Sequence, residues 1–311
     1  MQQVIMMSEL LKEYPGVGQV QLPGDIIERP IFPTLHIKLL GTFIIASDRI
    51  PLASIDMPRL QSLLAYLVQH HGVPQSRTRL ASLLWPDSTE EQAHTNLRNL
   101  LYKLRQALPE SDRYLAVDRH TILWQSDGSW TLDVLDFEQA VARAERAEQE
   151  DNHAALRLAL EQAIELYRGD LLPDCYDEWI LPERDRLSQL FLDVLEWLLC
   201  LREQEGDYQG AIRIAQRLQR EDPLQEASYR HLMRLYAASG NRAAAIRTYQ
   251  RCVAVLEREL AVEPGPTTRR VYEQLIQSEQ PVSSTMKKRP INDIETLYAI
   301  HSEQYSLCEC C

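Results

Sequence analysis

The stretch Ser76–Leu108, SRTRLASLLWPDSTEEQAHTNLRNLLYKLRQAL, constrains the fold most. Ser76 is suited to cap a short helix whose Leu80, Leu83 and Leu84 form an inner face. Trp85-Pro86 ends it, because proline lacks an N–H and crowds the preceding turn. Ser88 and Glu91 then have the S-x-x-E spacing of a capping box, which predicts a second helix from there to Pro109. Within it Leu97, Leu100, Leu101, Leu104 and Leu108 share one face at 100° per residue, and Thr95, Asn99, Tyr102, Lys103 and Gln106 project from the other. The stretch therefore reads as two helices meeting at a corner, the second buried on one side and polar on the other.

The flanks supply a small sheet and a third helix. LHIKLLGTFIIAS, 35–47, alternates and is rich in β-branched residues, with Gly41 marking a turn or bulge. Asp56 as N-cap, Pro58 in the first turn and Leu60, Leu63, Leu64, Leu67 and Val68 at helical spacing predict a helix that Gly72 and Pro74 terminate. After Pro109, YLAVDRHTILWQSDGSWTLDV alternates again. Turn residues at 118–120 and 126–129 predict two hairpin turns and a β wing. Pro15, Pro23, Pro30 and Pro33 break residues 1–33 into a poorly patterned leader with at most a short helix.

From Asp136 onward the pattern is helical, with helices expected over 136–149, 153–167, 181–204, 207–220, 224–239, 241–260 and 266–278. GDYQGAIRIAQRL at 206 aligns with GNRAAAIRTYQRC at 240, an offset of 34 residues that superposes Ala211 on Ala245 and Ile212 on Ile246. That period and those small residues are those of tetratricopeptide repeats, in which an alanine lets two helices approach closely. The expected fold is mainly α: an α+β winged helix-turn-helix at 34–133, an all-α tetratricopeptide-like domain at 134–278, and a flexible tail at 279–311.

Charge is uneven. The chain carries a net charge of -12, yet residues 34–133 hold ten Lys or Arg against ten Asp or Glu, so the acidic excess lies elsewhere. No apolar run approaches the roughly 20 residues that span a bilayer, and the N-terminus lacks a signal-peptide pattern, so a cytoplasmic protein is expected. The six cysteines, at 175, 200, 252, 308, 310 and 311, form no C-x-x-C pair. Cys200 and Cys252, on apolar helical stretches, are expected to be buried thiols. The CECC end has only His301 nearby, and no metal or cofactor is expected. Absence of a phosphate loop, H-E-x-x-H and G-x-S-x-G argues against an enzyme.

RLQSLLAYLVQHHGVPQSRTRLASLLWPD followed by NLRNLLYKLRQAL resembles the OmpR-type winged helix of the Streptomyces antibiotic regulatory protein (SARP) family. YRGDLLPDCYDEW at 167, DPLQEASYRHLMRLYAASGNRAAAIRTYQRC at 222 and ERELAVEPGP at 257 resemble that family's bacterial transcriptional activator domain (BTAD). Ala261 departs from the glycine usual there, which suggests a helix running slightly longer. With no G-x-x-x-x-G-K-[ST] segment, the chain resembles the short members that carry no ATPase module.

The resemblance implies a transcriptional activator that binds promoter repeats, as a homodimer or in tandem on direct repeats, and contacts RNA polymerase. Its long helix would enter the major groove, where Asn99 can pair with an adenine edge and Lys103 can donate to guanine. Gln106 lies a turn further along the same face, and Tyr102 can meet a thymine methyl or a phosphate. Thr95, Asn96 and Arg98, with Arg77 and Arg79 on the shorter helix, are expected at phosphates, and Arg119 and His120 at the backbone or minor groove. By composition alone the same face is ordinary solvated surface. The rival reading is a tetratricopeptide-like scaffold whose winged helix does not bind DNA.

Overall fold

The computed structural model describes residues 34–48, 50–125 and 129–277. The expectations for the leader, for the tail with its CECC end, and for residues 126–128 lie outside the described residues. The protein is mainly helical with a small N-terminal sheet. The described residues divide into two compact units, one within 34–142 together with Glu165–Ser188, the other Arg143–Ile164 and 189–277.

In the first unit β1 (Leu35–Lys38), β2 (Ile44–Ser47) and β3 (Ile50–Pro51) form an antiparallel meander. Three helices follow, α1 (Pro58–Gln69), α2 (Arg77–Leu84) and α3 (Glu90–Ala107), with the two-residue β4 (Gln75–Ser76) before α2. β5 (Leu115–Val117) and β6 (Thr121–Trp124) make an antiparallel hairpin, and β4 pairs with β6. β7 (Trp130–Leu132) leaves the hairpin and pairs with β1 in parallel, Leu35 opposite Trp130. β6 and β7 therefore belong to different sheets and do not pair with each other as a second hairpin would require. Local alternation looks the same in both cases, and the pairing of Ile37 with Leu132 distinguishes them.

Leu60, Leu63, Leu64, Leu67 and Val68 of α1, Leu80 and Leu84 of α2, and Leu97, Leu101 and Leu104 of α3 are buried together with Ile122 and Trp124 of β6. Each such side chain removed from water contributes on the order of 2 kcal/mol. Leu83 is half-buried instead, and Ala81 takes the inward position. Two expected caps move by one residue. Met57, with no side-chain hydrogen bond, precedes Pro58 in place of Asp56. Thr89 caps α3 by accepting from the backbone of Gln92, because the N–H of Ser88 is already committed to the carbonyl of Trp85.

α4 (Asp133–Gln149) starts at a buried carboxylate. Asp133 accepts hydrogen bonds from the backbone N–H of Leu39 and Leu40 at 2.9–3.0 Å. Burial raises its pKa although these N–H groups pull the other way. The loop at 167–177 returns to the same place. Leu40 bridges to Leu171, Leu172 donates to the carbonyl of Leu39, and Gly41 donates to that of Asp170. Asp177 pairs with Arg59 and accepts from Ser62, whose hydroxyl also receives the Trp179 indole N–H at 3.2 Å. The YRGDLLPDCYDEW motif therefore anchors itself, through Asp170, Leu171, Leu172, Asp177 and Trp179, to the end of β1 and to α1.

The second unit contains α5 (His153–Leu166), the later part of α6 (Leu181–Gln204), α7 (Tyr208–Glu221), α8 (Glu226–Ala238), α9 (Arg242–Leu260) and α10 (Pro266–Gln277). Ala211 and Ala245, 34 residues apart, are both fully buried. The turns before them are built alike. Gly206 and Gly240 take φ of 75° and 76°, then Asp207 and Asn241 cap the next helix by accepting from Gly210 and Ala244. α9 ends at Leu260, with Ala261 itself in the left-handed region at φ 56°. The alanine therefore does not prolong the helix. Its N–H bonds the Glu257 carbonyl and that of Val262 bonds Leu256, so the C-terminal cap forms despite the side chain. Cys252 is buried as expected, whereas Cys200 is exposed.

Candidate nucleic-acid interface

α3 has 18 residues, about 27 Å of helix at 1.5 Å per residue. Glu90 and Glu91 lie in its first turn, where the N–H dipoles favour negative charge, and Arg105 lies in its last. Ala93, Leu97, Leu100, Leu101 and Leu104 are buried. Because the burial takes one side of the helix, the other side is fixed without further contacts. Asn96, Asn99, Lys103 and Gln106 form one stripe there, with Thr95, Arg98 and Tyr102 beside it.

These side chains differ in how far they are already engaged. The Thr95 hydroxyl donates to the Glu91 carbonyl at 3.0 Å, and Asn96 accepts from Gln92 at 2.8 Å. Lys103 rests its ammonium 3.5 Å from the sulfur of Met57. Arg98, Asn99 and Gln106 are exposed. Tyr102 is 66% exposed, a large aromatic ring that the core does not use. Arg105, on the same helix, is paired with Asp112 at 2.7 Å, which removes one cation from the available charge.

The hairpin tip is a second cluster. Asp118 accepts from the N–H of His120 and of Thr121 at 2.6 Å and from the Thr121 hydroxyl at 2.8 Å, so its carboxylate closes the turn. Those hydrogen bonds, led by that of the Thr121 N–H, lower the Asp118 pKa and keep it charged. Arg119 and His120 stand exposed at the apex. The backbone N–H of Arg77 donates to the His120 carbonyl, and the Arg77 guanidinium donates to that of Asp118 at 3.0 Å.

Arg77, Arg119 and His120 are thus brought together at the tip, a grouping the sequence order did not reveal. Arg79 is exposed in the first turn of α2, where Ser76 accepts from its backbone N–H. Asp118 is the turn residue that the sequence placed at 118–120, and sequence reasoning missed only Met57, which nothing local signalled.

Residues 132–276 match the family model described as "Bacterial transcriptional activator domain". Over these residues the chain resembles the activator domain of the SARP family. It is similar to the regulatory protein AfsR of Streptomyces coelicolor, 24% identical over 265 residues, which are 85% of this chain and 26% of AfsR. The transcriptional regulatory protein EmbR of Mycobacterium tuberculosis is 24% identical over 261 residues, 80% of this chain and 65% of EmbR. MoaR1 of the same organism, also a transcriptional regulatory protein, is 26% identical over 251 residues, 78% of this chain and 76% of MoaR1. The chain therefore spans about a quarter of AfsR and just under two thirds of EmbR.

Among solved structures, M. tuberculosis EmbR in complex with a low-affinity phosphopeptide has a TM-score of 0.65 at 20% identity, over 88% of this chain and 71% of that one. That likeness is one of fold. The names of these relatives are those of regulators of transcription.

Proposed function

We propose that the chain is a sequence-specific DNA-binding regulator of transcription, an activator, that reads duplex DNA with α3 and holds the backbone with the β5–β6 tip. In this reading residues 34–133 are an OmpR-type winged-helix domain and 134–278 a tetratricopeptide-like activator domain. One observation carries it: the face of α3 opposite its buried leucines presents Arg98, Asn99, Tyr102 and Lys103, residues that the fold of the first unit does not need for its core.

Asn99 and Lys103, one turn apart, supply amide and ammonium donors suited to base edges in the major groove. Arg98, Arg79, Arg119 and His120 supply phosphate contacts, and Arg77 acts chiefly by fixing the tip against α2. Thr95 and Asn96, satisfied within the helix, contribute through their exposed edges, and Gln106 at the far end of the stripe contacts backbone.

With few free cations, one copy gives a shallow salt dependence, about -0.9 units of log K per phosphate neutralised. Tight binding then requires two copies on repeated half-sites, and RNA polymerase is the expected partner at the promoter. Selection of duplexes from a random pool, followed by footprinting, tests this. Enrichment of direct or inverted repeats about one or two helical turns apart supports it, and tight occupancy of an isolated half-site by a monomer contradicts it.

The net balance of charge in residues 34–133 favours a second reading, a scaffold that binds protein and not DNA. Failure of the selection to enrich any sequence at low salt would contradict the DNA reading and favour this one.

A further inference from the structure

The second unit contains a cavity of about 350 Å³ between α7, α8 and α9. α7 lines it with Gln216, Gln219 and Arg220, and α9 with Ala244, Arg247, Thr248 and Arg251; α8 adds buried Leu232 and half-buried Tyr236. Its charge is one-sided. Three arginines and no carboxylate line it, in a chain with a net charge of -12.

Four other arginines of this unit are neutralised. Arg202 pairs with Glu161 and Asp207, Arg217 with Glu221, Arg258 with Glu259 and Arg269 with Glu263. Arg220, Arg247 and Arg251 enter no ion pair among the described residues and are exposed. Arg247 and Arg251 are one turn apart on one face of α9, and Arg220 lines the same cavity from α7, so two helices contribute arginines to one lining.

The remaining polar groups are held in place. Gln216 donates to the Tyr236 hydroxyl at 2.9 Å, and Thr248, 8% exposed, donates to the Ala244 carbonyl. Gln219, also 8% exposed, is engaged by its side chain with the Tyr229 hydroxyl.

We propose that this cavity is a binding site for a compact phosphate-bearing small molecule. Guanidinium groups match phosphate oxygens two at a time, and a volume of about 350 Å³ lies in the range of small-molecule pockets. The α9 stripe from Ala244 to Arg251 is only about 10 Å long, which suits a short polyanion better than an extended acidic peptide. The site is independent of the DNA reading, since it lies in the other unit and needs no contact with nucleic acid.

The test uses inorganic tripolyphosphate as probe, titrated calorimetrically into the full chain at low salt. The site predicts one bound tripolyphosphate per chain, weakened at least ten-fold in R247Q/R251Q. Binding is retained in R213Q/R258Q, which removes two arginines outside the cavity; far-UV circular dichroism verifies that both variants are folded. Absence of binding, equal loss in both variants, or tighter binding of hexaglutamate than of tripolyphosphate would overturn the proposal, the last in favour of an acidic peptide.

Discussion

Gly41 and Gly169 lie back to back. A Cβ on Gly41 would sit 2.8 Å from the carbonyl oxygen of Arg168, and one on Gly169 would sit 3.1 Å from the Cα of Gly41. Both also have positive φ, 84° and 147°. Gly41→Ala therefore combines left-handed strain with a backbone collision, and should cost about 2–4 kcal/mol. Gly206→Ala, at φ 75° with nothing within 4 Å, should cost only about 1 kcal/mol. Urea unfolding checks the order of the two midpoints. Equal losses would show that the close approach is unimportant.

Ala261 occupies a left-handed C-terminal cap without being glycine. Ala261→Gly should stabilise the second unit by about 1 kcal/mol, because glycine adopts this conformation at little steric cost. Thermal unfolding would show a raised midpoint; a lowered one would mean that the extra chain entropy of glycine outweighs the relieved strain.

Three aspartates should titrate on opposite sides of the ordinary 3.8. The folded pKa of Asp133 is raised, chiefly by burial, so its contribution to stability is present below 3.8 and is lost as pH rises through the raised value. Asp118 and Asp207 are lowered, chiefly by backbone hydrogen bonds from Thr121 and Gly210. Their contributions are present above 3.8 and are lost as pH falls through the depressed values. Carboxyl-carbon NMR titration reads all three, and Asp133 titrating below 3.8 would contradict its burial. Asp133→Ala leaves the N–H groups of Leu39 and Leu40 without their acceptor and should cost about 2–4 kcal/mol.

Cys252 is buried and its thiol is pushed up to about 11, first by burial and then by Glu226. Exposed Cys200 should react with a maleimide in the native protein, while Cys252 reacts only on unfolding. Mass mapping of the labelled positions would reveal the reverse order if the α8–α9 packing were loose.

The helices were legible because their causes are local. Leucine spacing placed α3, and the glycine and cap residues repeated at 206–207 and 240–241 placed α7 and α9, to within a residue or two. The failures were long-range. Nothing near Trp130 says that β7 pairs with a strand 95 residues earlier, and nothing near Asp177 says that it meets Arg59 and Ser62. The family resemblance carried YRGDLLPDCYDEW only as a motif, and the fold shows its physical task at Leu40, Gly41 and Arg59. On the candidate interface, helical periodicity gave the α3 stripe, whereas the grouping of Arg77 with the hairpin tip required the pairing of Ser76 with Thr121.

The most direct measurement is a gel-shift titration with duplexes selected from a random pool, comparing the native chain with N99A/K103A. The DNA reading predicts that this double variant, altered only at exposed positions and unchanged in thermal midpoint, loses at least ten-fold in affinity for selected duplexes. Its weak binding to unselected DNA should fall far less, since base contacts carry the discrimination. Undiminished affinity in the variant, or no enriched duplex to test, would contradict the assignment of α3 as the reader of sequence.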